Sequence, residues 1–508
     1  MIRFLARRFG LALGTLLALS FLMYGVLNIA MDPLDDLRSS PSLNREALME
    51  ARIRQLGLDR PWWERWWQWL LDVFRGDFGE AWRSGQHVND MLVGAIQTSV
   101  QLVFSATLIA VLVGVTVGLV SALRQYTAFD YTITFVAFVM YALPVFWFAV
   151  LLKQFGAIGV NDYLNNPVVN WPALLIVSVI SGLFWAGALG GNTRRKLIVF
   201  GVAFAVTIGI LAYALLSGWV ENPRLGFVGV AVLGIAAAVG MTAVFAGMQN
   251  KRALYSALAT AVVGVVLYMP MQYFFYYVPM SDLLALGLLV VAIIVGAAVG
   301  WAFGGPDRGV SIRGAVVVAI VQAAAIFADR VLQGWQLYVN ASVIGGRPIA
   351  TIGSQTPNLG GDYWITQLDK ATHLVLPTIA LVVISFATYT RYQRGAMLEV
   401  LNQDYIRTAR AKGLPERVVI VRHALRNALM PLASVVPIDI ITMIGGAVLT
   451  ETIFSWAGMG RMFVNALMLS EIDPVMIYIM ITGALAMIAN LAADFLYAII
   501  DPRIRVNA

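Results

Sequence analysis

The sequence predicts an all-α polytopic membrane protein that crosses the bilayer about twelve times, with both termini on the inner side. Of its 508 residues, 60% are hydrophobic and only 12% are charged, which is not the composition of a soluble globular chain. Apolar stretches of about 20 residues recur along the chain, and each can cross roughly 30 Å of hydrocarbon. Positive residues cluster in every second connection, as expected for inner-side loops.

The predicted spans fall into three groups along the chain. The first group lies at about residues 9–30, 98–123 and 131–152, the second at about 171–189, 197–216, 226–248, 253–275, 283–303 and 314–328, and the third at about 373–389, 432–450 and 475–500. The proline in Leu143-Pro-Val-Phe-Trp147 predicts a kink in the third span, which membrane helices tolerate when neighbours satisfy the freed backbone groups.

The positive residues of the middle group indicate which connections between spans lie on the inner side of the membrane. Arg194-Arg-Lys196, Lys251-Arg252 and the segment from Arg308 to Arg313 are basic, whereas the alternate connections 221–224 and 276–282 hold at most one cation. The last residues, 501–508, are again basic.

The first span follows Arg3, Arg7 and Arg8 like a signal peptide. It is too long for one and lacks a clear cleavage site, so we expect a retained anchor.

Several classes of chemistry find no support in the sequence. There is no cysteine, which excludes disulfides, thiolate catalysis and cysteine-ligated metals. The three histidines lie far apart, and no His-Glu-x-x-His pattern occurs, so we expect no metal site. The dipeptide Gly-Lys is absent, so the chain has no P-loop for ATP. We therefore expect any ATP-driven step to belong to another subunit.

A polar stretch from Glu399 to Pro431, which we call the inner segment, interrupts the third group of spans. Its first half predicts a helix with cations in the last turn, where they suit the negative end of the helix dipole. Gly413 can adopt the left-handed conformation that ends a helix, and Pro415 suits the first turn of the next one. The sequence therefore predicts helix, tight turn and helix, with a small-residue face that another protein can approach closely.

The inner segment contains a specific sequence motif. Asp404-Tyr-Ile-Arg-Thr-Ala-Arg-Ala-Lys-Gly-Leu414 and Arg422-His-Ala-Leu-Arg-Asn-Ala-Leu-Met-Pro431 resemble the cytoplasmic EAA loop of permease subunits in ABC importers. More narrowly, they are similar to the dipeptide, oligopeptide and nickel permease family. The wider consensus has Glu and Ala where this chain has Arg407 and Thr408, and that departure is shared by the peptide branch.

The resemblance covers the first 155 or so residues and everything after about residue 373. The further matching motifs are Leu56-Gly-Leu-Asp-Arg-Pro61, Arg75-Gly-Asp-Phe-Gly79, Leu143–Trp147, His373-Leu-Val-Leu-Pro377, Gly445–Arg461, Asn490-Leu-Ala-Ala-Asp494 and Asp501-Pro-Arg-Ile504. Family members usually have six spans, so the middle group is interpreted as an insertion of six. Its Gly- and Ala-rich helices favour a peripheral structural bundle over a second pathway.

The predicted parts of the chain follow from this resemblance. They are an N-terminal anchor helix (1–30), a periplasmic segment (31–96), core helices two and three (97–155), the inserted bundle with its outer loops (156–372) and core helices four to six (373–508), with the coupling loop at 391–430. The core would be the six-helix permease fold of type I ABC importers, in a bacterial inner membrane.

The resemblance also implies a function. The chain would be the B-type permease subunit of a peptide importer, a transporter subunit that is not itself an enzyme and binds no cofactor. Its partners would be a second homologous permease, two ATPase subunits that hold ATP and Mg²⁺, an external substrate-binding lipoprotein and membrane lipid, and no nucleic acid. Dipeptides, longer peptides, glutathione and nickel chelates all stay open as cargo. The rival hypothesis is a proton-coupled secondary transporter of small polar solutes, which would require buried acidic or histidine relays in both halves. The inserted spans are almost without charge.

In this family the inner segment contains the coupling helix, which sits in a cleft of the ATPase subunit. The residues carried over to that role are Asp404, Tyr405, Arg407, Thr408, Ala409, Arg410, Ala411, Lys412, Gly413, Glu416 and Arg417. We expect docking by Tyr405, Ala409 and Ala411, ionic contacts by the charged members, and the turn at Gly413.

The candidate pathway residues are Asp439, Glu451, Phe454 and Trp456. Asp439 lies inside a predicted span, where it either lines the pore or makes an interhelical contact. The other three belong to an outer segment that resembles the family's segment at the pore mouth, although Ala457 stands where relatives usually have proline. Asp494, in the last span, is expected to pair structurally.

Pro61-Trp-Trp-Glu-Arg-Trp-Trp-Gln-Trp69 predicts an amphipathic helix at the outer membrane interface. Trp62 and Trp66 share one face, as do Trp63 and Trp67, and Trp69 follows them. Two interpretations stay open: a helix that lies in the interface as an anchor, or a contact surface for the external binding protein.

Overall fold

The computed structural model describes residues 2–39, 41, 44–305 and 308–500, and most of them lie in helices. The first part contains α1 (Ile2–Ala30), α2 (Asp35–Arg38), α3 (Arg45–Leu56) and α4 (Trp62–Phe74). The two-residue strands β1 (Glu80–Ala81) and β2 (Gln86–His87) pair antiparallel and form the only sheet among the described residues. The fold class predicted from hydropathy is therefore confirmed.

The next helices are α5 (Val88–Leu123), α6 (Ala128–Ala142), α7 (Val145–Leu151) and α8 (Gly159–Asn165), with a π-helical segment at Leu152–Ile158. The predicted kink at Pro144 is a complete break. Residues 128–142 and 145–165 are bent by 98° relative to each other. Because proline fixes its own φ and the preceding residue avoids the α region, Leu143 is extended and the helix restarts at Val145.

The middle of the chain forms six long helices and one short one. They are α9 (Trp171–Leu189), α10 (Thr193–Leu216), α11 (Gly226–Met241), α12 (Lys251–Tyr277), α13 (Asp282–Phe303), α14 (Arg308–Leu332) and α15 (Trp335–Val339). A π-helical segment, Thr242–Ala246, continues α11. Four of these helices, α9, α10, α12 and α13, begin at asparagine or serine caps, for example at Asn192 and Ser281, whose side chains accept hydrogen bonds from backbone amides of the first turn.

The last part begins with the 39-residue helix α16 (Tyr363–Leu401). It continues with α17 (Asp404–Ala411), α18 (Glu416–Val418), a π-helical segment (Val419–Ala424), α19 (Leu425–Ala428), α20 (Met430–Gly446), α21 (Val448–Ile453), α22 (Met459–Met468) and α23 (Ile472–Ile500). Residues 501–508, which the sequence places on the inner side, lie outside the described residues.

The number of membrane-spanning helices falls slightly below the prediction of twelve. In the part of the chain that the structure describes, nine helices are long and apolar enough to cross a membrane, and two bent pairs raise the number to eleven. The remaining predicted span, 226–248, corresponds to α11, whose 16 residues are apolar but shorter. The π-helical segment Thr242–Ala246 continues α11 without a break, so the helical stretch covers residues 226–246.

The inserted helices do not pack as one bundle of six. Helices α9 and α10 pair with each other, and α9 packs on α6, whereas α11, α12, α13 and α14 pack among themselves. The latter group, which we call the four-helix unit, joins the rest through α14 and α16. Rings of Phe275 and Phe327 lie 5.0 Å and 5.3 Å from the ring of Trp364, near the start of α16.

Small residues hold α5 tightly against α16. A Cβ atom on Gly118 would lie 2.7 Å from the carbonyl oxygen of Thr390, and one on Gly114 would lie 2.9 Å from the Cβ of Tyr389. This spacing of two glycines four residues apart is the arrangement by which membrane helices approach closely and gain dispersion energy. The pair α5–α16 is therefore the central contact of the core.

We expect Gly118→Ala to lower stability, because its Cβ would overlap backbone that cannot move aside. The cost should be about 1–3 kcal/mol, measured as a lower thermal unfolding midpoint in detergent. Gly94→Ala is the matched control, since Gly94 lies on the same helix with nothing within 4 Å of the added Cβ. A Gly118→Ala protein as stable as the Gly94→Ala protein would contradict the tight packing.

Candidate functional site

Helix α17 of the inner segment presents one apolar face to the core of the chain. Ile406 and Ala409 are buried, three residues apart, and pack with Met397 of α16 and with Val419 and Ala424 of the following π-helical segment. Ala409 therefore faces the core of the chain and not the solvent, contrary to the prediction that it takes part in docking. The phase of the helix is set by Ile406, which is the larger apolar residue.

The opposite face of the inner segment is open to solvent. Arg407, Ala411, Lys412 and Gly413 are exposed, and Tyr405 is 41% exposed. The Tyr405 hydroxyl accepts a hydrogen bond of 2.7 Å from the Asn427 side-chain amide, which fixes the ring. The Arg407 guanidinium lies 3.7 Å from the Asp404 carboxylate, and both are largely exposed. The predicted roles of these residues in docking stay predictions, but their side chains are available.

The turn between α17 and α18 has the predicted chemistry. Gly413 has φ +73°, and nothing lies within 4 Å of the place of a Cβ atom, so its backbone conformation alone requires glycine. Across this turn Arg410 donates to both carboxylate oxygens of Glu416, with Nη2–Oε1 2.7 Å and Nε–Oε2 3.1 Å. An exposed pair of this kind contributes little stability, about 0–1 kcal/mol, but it holds the two helix ends in one geometry.

Arg417 makes a contact that was not predicted from the sequence. Its Nη2 donates to the carbonyl oxygen of Thr242, at 3.1 Å, in the π-helical segment that ends α11. The guanidinium lies over Gly247, where a Cβ atom would come within 2.7 Å of Nη1. The inner segment is thus hydrogen-bonded to the four-helix unit. In a π-helix the hydrogen bonds join residues five apart instead of four. The carbonyl of Thr242, which lies in such a segment, is the acceptor for Arg417.

An ion pair that sequence reasoning also missed anchors the end of α16. Asp130, which is 2% exposed, accepts Nε–H and Nη2–H of Arg394 at 2.7 Å and 2.8 Å. The hydroxyl of Ser121 donates to the same carboxylate at 2.5 Å, and the Tyr126 amide at 3.1 Å. We call this the inner cluster. Asp130 and Arg394 are 264 residues apart in sequence, so no local sequence pattern predicts this ion pair.

A second buried carboxylate, Glu451 of α21, joins the outer part of α5 to α22. Its Oε1 accepts from the Ser99 hydroxyl at 2.6 Å, and its Oε2 accepts from the amides of Gly460 and Arg461 at 2.7 Å and 3.2 Å. We call this the outer cluster. Burial raises the pKa of Glu451, whereas the three donors favour the ionised form and oppose that rise. Gly458 leaves room for the carboxyl, since a Cβ there would lie 2.4 Å from it.

The neighbouring pathway candidates are also buried within the chain. Phe454 and Trp456 are 2% and 1% exposed. The Trp456 indole donates to the carbonyl of Thr98 at 3.0 Å, and the Phe454 carbonyl accepts from the Gly353 amide at 2.8 Å. In this conformation Glu451, Phe454 and Trp456 shape the outer segment rather than face an open path. Their part in translocation stays a prediction.

Asp439 is half-buried on α20 beside Tyr389 of α16, a position that favours the interhelical interpretation. Asp494 lies on α23, but its side chain is outside the described part of the chain. Among the described residues there is no group of three His, Asp or Glu side chains that would hold a metal ion.

The tryptophan-rich stretch forms the helix α4, as predicted, and the two faces of this helix differ. Trp62, Trp66 and Trp69 pack towards α1, where the Trp66 indole donates to the Ser20 hydroxyl at 3.2 Å. Trp63 and Trp67 are each 53% exposed. Only this second face is available for an interfacial or partner contact.

Comparison with known proteins places these features in a family. The model of the binding-protein-dependent transport system inner membrane component matches residues 114–506. The chain is 41% identical over 155 residues to the oligopeptide transport system permease protein OppB of Mycobacterium tuberculosis, which covers 30% of this chain and 48% of that protein. It is 47% identical over 136 residues to the oligopeptide transport system permease protein AppB of Bacillus subtilis, covering 27% and 43%.

A third relative matches along its whole length. The chain is 24% identical over 506 residues to the dipeptide transport system permease protein DppB of Escherichia coli, covering 99% of each protein. The stronger local matches thus span about half the length of the mycobacterial and Bacillus relatives. The full-length match is weaker in identity.

We expect Glu451→Leu to lower the thermal midpoint of the purified protein, because three buried donors lose their acceptor. Each unsatisfied donor costs about 1–3 kcal/mol. Glu451→Gln keeps a carbonyl for the amides of Gly460 and Arg461 and should be intermediate. If both variants were as stable as the parent protein and equally defective in solute uptake, the charge of Glu451 would serve the pathway rather than the fold.

Proposed function

This chain belongs to the family of binding-protein-dependent transport system inner membrane components, and from that premise we propose that it is a permease subunit of an ATP-driven peptide importer in the bacterial inner membrane. The observation that carries the proposal is the inner segment. It combines an exposed helical face with a turn fixed by Gly413 and the Arg410–Glu416 pair. A rigid, solvent-exposed projection between two long apolar helices is what a separate ATPase subunit needs to move them.

The packing supports a lever mechanism. Ile406 and Ala409 fix α17 to the last turns of α16 and to the π-helical segment that leads into α20. A displacement of α17 by a docked partner would therefore reach both helices at once. Alternating access requires only that such rigid elements rock between two packed arrangements. The exposed residues Tyr405, Arg407, Ala411 and Lys412 would make the contact, and ATP with Mg²⁺ would be held by the partner.

The proposed assembly contains four further subunits. They are a second, homologous permease, two ATPase subunits and an external substrate-binding protein. The name of the family supports the binding protein, and the other subunits follow from the proposed ATP-driven importer. The cargo is proposed to be a peptide, because the relatives are named for dipeptide and oligopeptide transport. The choice among dipeptides, longer peptides, glutathione and nickel chelates would rest with the binding protein.

A proton-coupled secondary transporter is the rival, and one reconstitution experiment separates the two. The chain is co-purified with its candidate ATPase, permease and binding-protein partners and placed in proteoliposomes with ATP on the side of the inner segment. We expect uptake of a labelled dipeptide or oligopeptide to require ATP and all partners and to survive a protonophore. Uptake by the chain alone, driven by a proton gradient and independent of ATP, would overturn the proposal.

We expect Gly413→Val to reduce ATP-dependent uptake at least tenfold while membrane insertion stays normal. A β-branched residue at φ +73° is strained by about 1–3 kcal/mol and would change the turn. Gly57→Val is the matched control, because Gly57 has φ +58° with equal free space but ends α3 in the predicted outer segment. Gly413→Asn should be milder, since asparagine tolerates this conformation. Normal uptake in the Gly413→Val protein would count against the lever.

A further inference from the structure

A basic cleft separates the four-helix unit from the inner segment. It encloses about 930 Å³ and opens to the outside of the chain. One wall is formed by residues that follow α11 and by the first turns of α14, including Arg313. The other wall is formed by the start of the helical stretch after Gly413, including Arg417, Arg422 and Arg426.

The charge of this cleft is not balanced by the protein. None of its lining residues is Asp or Glu, and Arg313, Arg422 and Arg426 make no ion pair with any residue that the structure describes. Arg417 is held by the neutral carbonyl of Thr242. Four guanidinium groups around one cavity repel each other unless an anion lies among them, and guanidinium groups bind phosphate oxygens through paired N–H donors.

The remaining lining of the cleft is aliphatic. Val310 lies on the wall of α14, and Val421, Leu425 and Leu429 lie on the opposite wall. A cleft that combines arginines with an aliphatic surface suits an amphiphile better than a small soluble anion. The cleft is also level with the basic connections around Lys251 and Arg308, which the charge distribution places at the inner face of the membrane.

We propose that this cleft binds the headgroup of an anionic phospholipid from the inner leaflet, with the arginines on its phosphate and the aliphatic residues along its glycerol and upper acyl chains. Basic pockets between membrane helices on this side are suited to such lipids. The bound lipid bridges the four-helix unit and the inner segment, next to the single Arg417–Thr242 hydrogen bond. The proposal does not depend on the transport function, since lipid binding is measured without it.

The test is to count the lipids that the purified full-length chain retains, by native mass spectrometry. The probes are phosphatidylglycerol and phosphatidylcholine with the same acyl chains, added in turn to delipidated protein. We expect one phosphatidylglycerol to be retained about tenfold or more tightly than phosphatidylcholine. The cleft variant Arg313→Gln, Arg422→Gln, Arg426→Gln should lose that preference.

A matched control removes the same charge elsewhere on the same predicted side. The variant Arg194→Gln, Arg195→Gln, Lys196→Gln changes the start of α10, which does not line the cleft, and should retain the lipid. If the triple cleft variant does not fold, Arg313→Gln alone should weaken retention by about fivefold, because each cation near the surface contributes about 1 kcal/mol to such binding.

Four results would overturn the proposal. Equal retention of both lipids, or equal loss in the cleft and control variants, would show that the cleft has no lipid site. Displacement of phosphatidylglycerol by a large excess of inorganic phosphate would show a site for soluble anions. Retention by the free chain but not by the assembled complex would show that an acidic surface of a partner subunit fills the cleft.

Discussion

The close approach of α5 to α16 is the constraint on which the rest of this structure depends. In a bilayer the lipid tails are as apolar as the side chains, so helices associate through close packing and hydrogen bonds rather than through hydrophobic burial. Gly114 and Gly118 allow the backbones to touch, and α16 then runs the whole depth of the molecule with α17 following its inner end. The position of the inner segment thus depends on a contact between α5 and α16 that lies within two helical turns of the inner cluster.

Helix α5 also fixes both ends of this arrangement. Its Ser99 donates to Glu451 in the outer cluster, and its Ser121 donates to Asp130 in the inner cluster. The two serines are separated by a helical rise of about 33 Å, close to the thickness of the hydrocarbon region. Each buried carboxylate is therefore placed near a membrane boundary, where its desolvation is least expensive, and each gathers donors from chain segments far apart in sequence.

Hydropathy and turn chemistry were sufficient for the helices and for the shape of the inner segment, because these follow from local sequence. Gly413 and the break at Pro144 are examples, although the size of the bend was underestimated. The extent of α16 was not predictable, because Asp369 and Lys370 ended the apolar window while the helix continued through them. The ion pair of the inner cluster could not be predicted, because neither Asp130 nor Arg394 belongs to a local sequence pattern that identifies its partner. Ala409 was assigned to the wrong face because its orientation depends on the packing of Ile406.

The insertion was interpreted from its composition as a peripheral structural bundle, and its contacts give it a more specific mechanical position. The four-helix unit packs through Phe275 and Phe327 on Trp364, at the outer end of α16, and reaches the inner segment through Thr242 and Arg417. A body that is attached at both ends of the element proposed to rock cannot stay still while that element moves. It must either move with α16 or resist its motion. The outer attachment is a packed aromatic cluster, whereas the inner attachment contains, among the described side chains, the hydrogen bond from Arg417 to Thr242 beside a basic cleft. The inner attachment is therefore the one that can change during a cycle at low cost, and whatever neutralises the arginines there sets how firmly the insertion holds the inner segment.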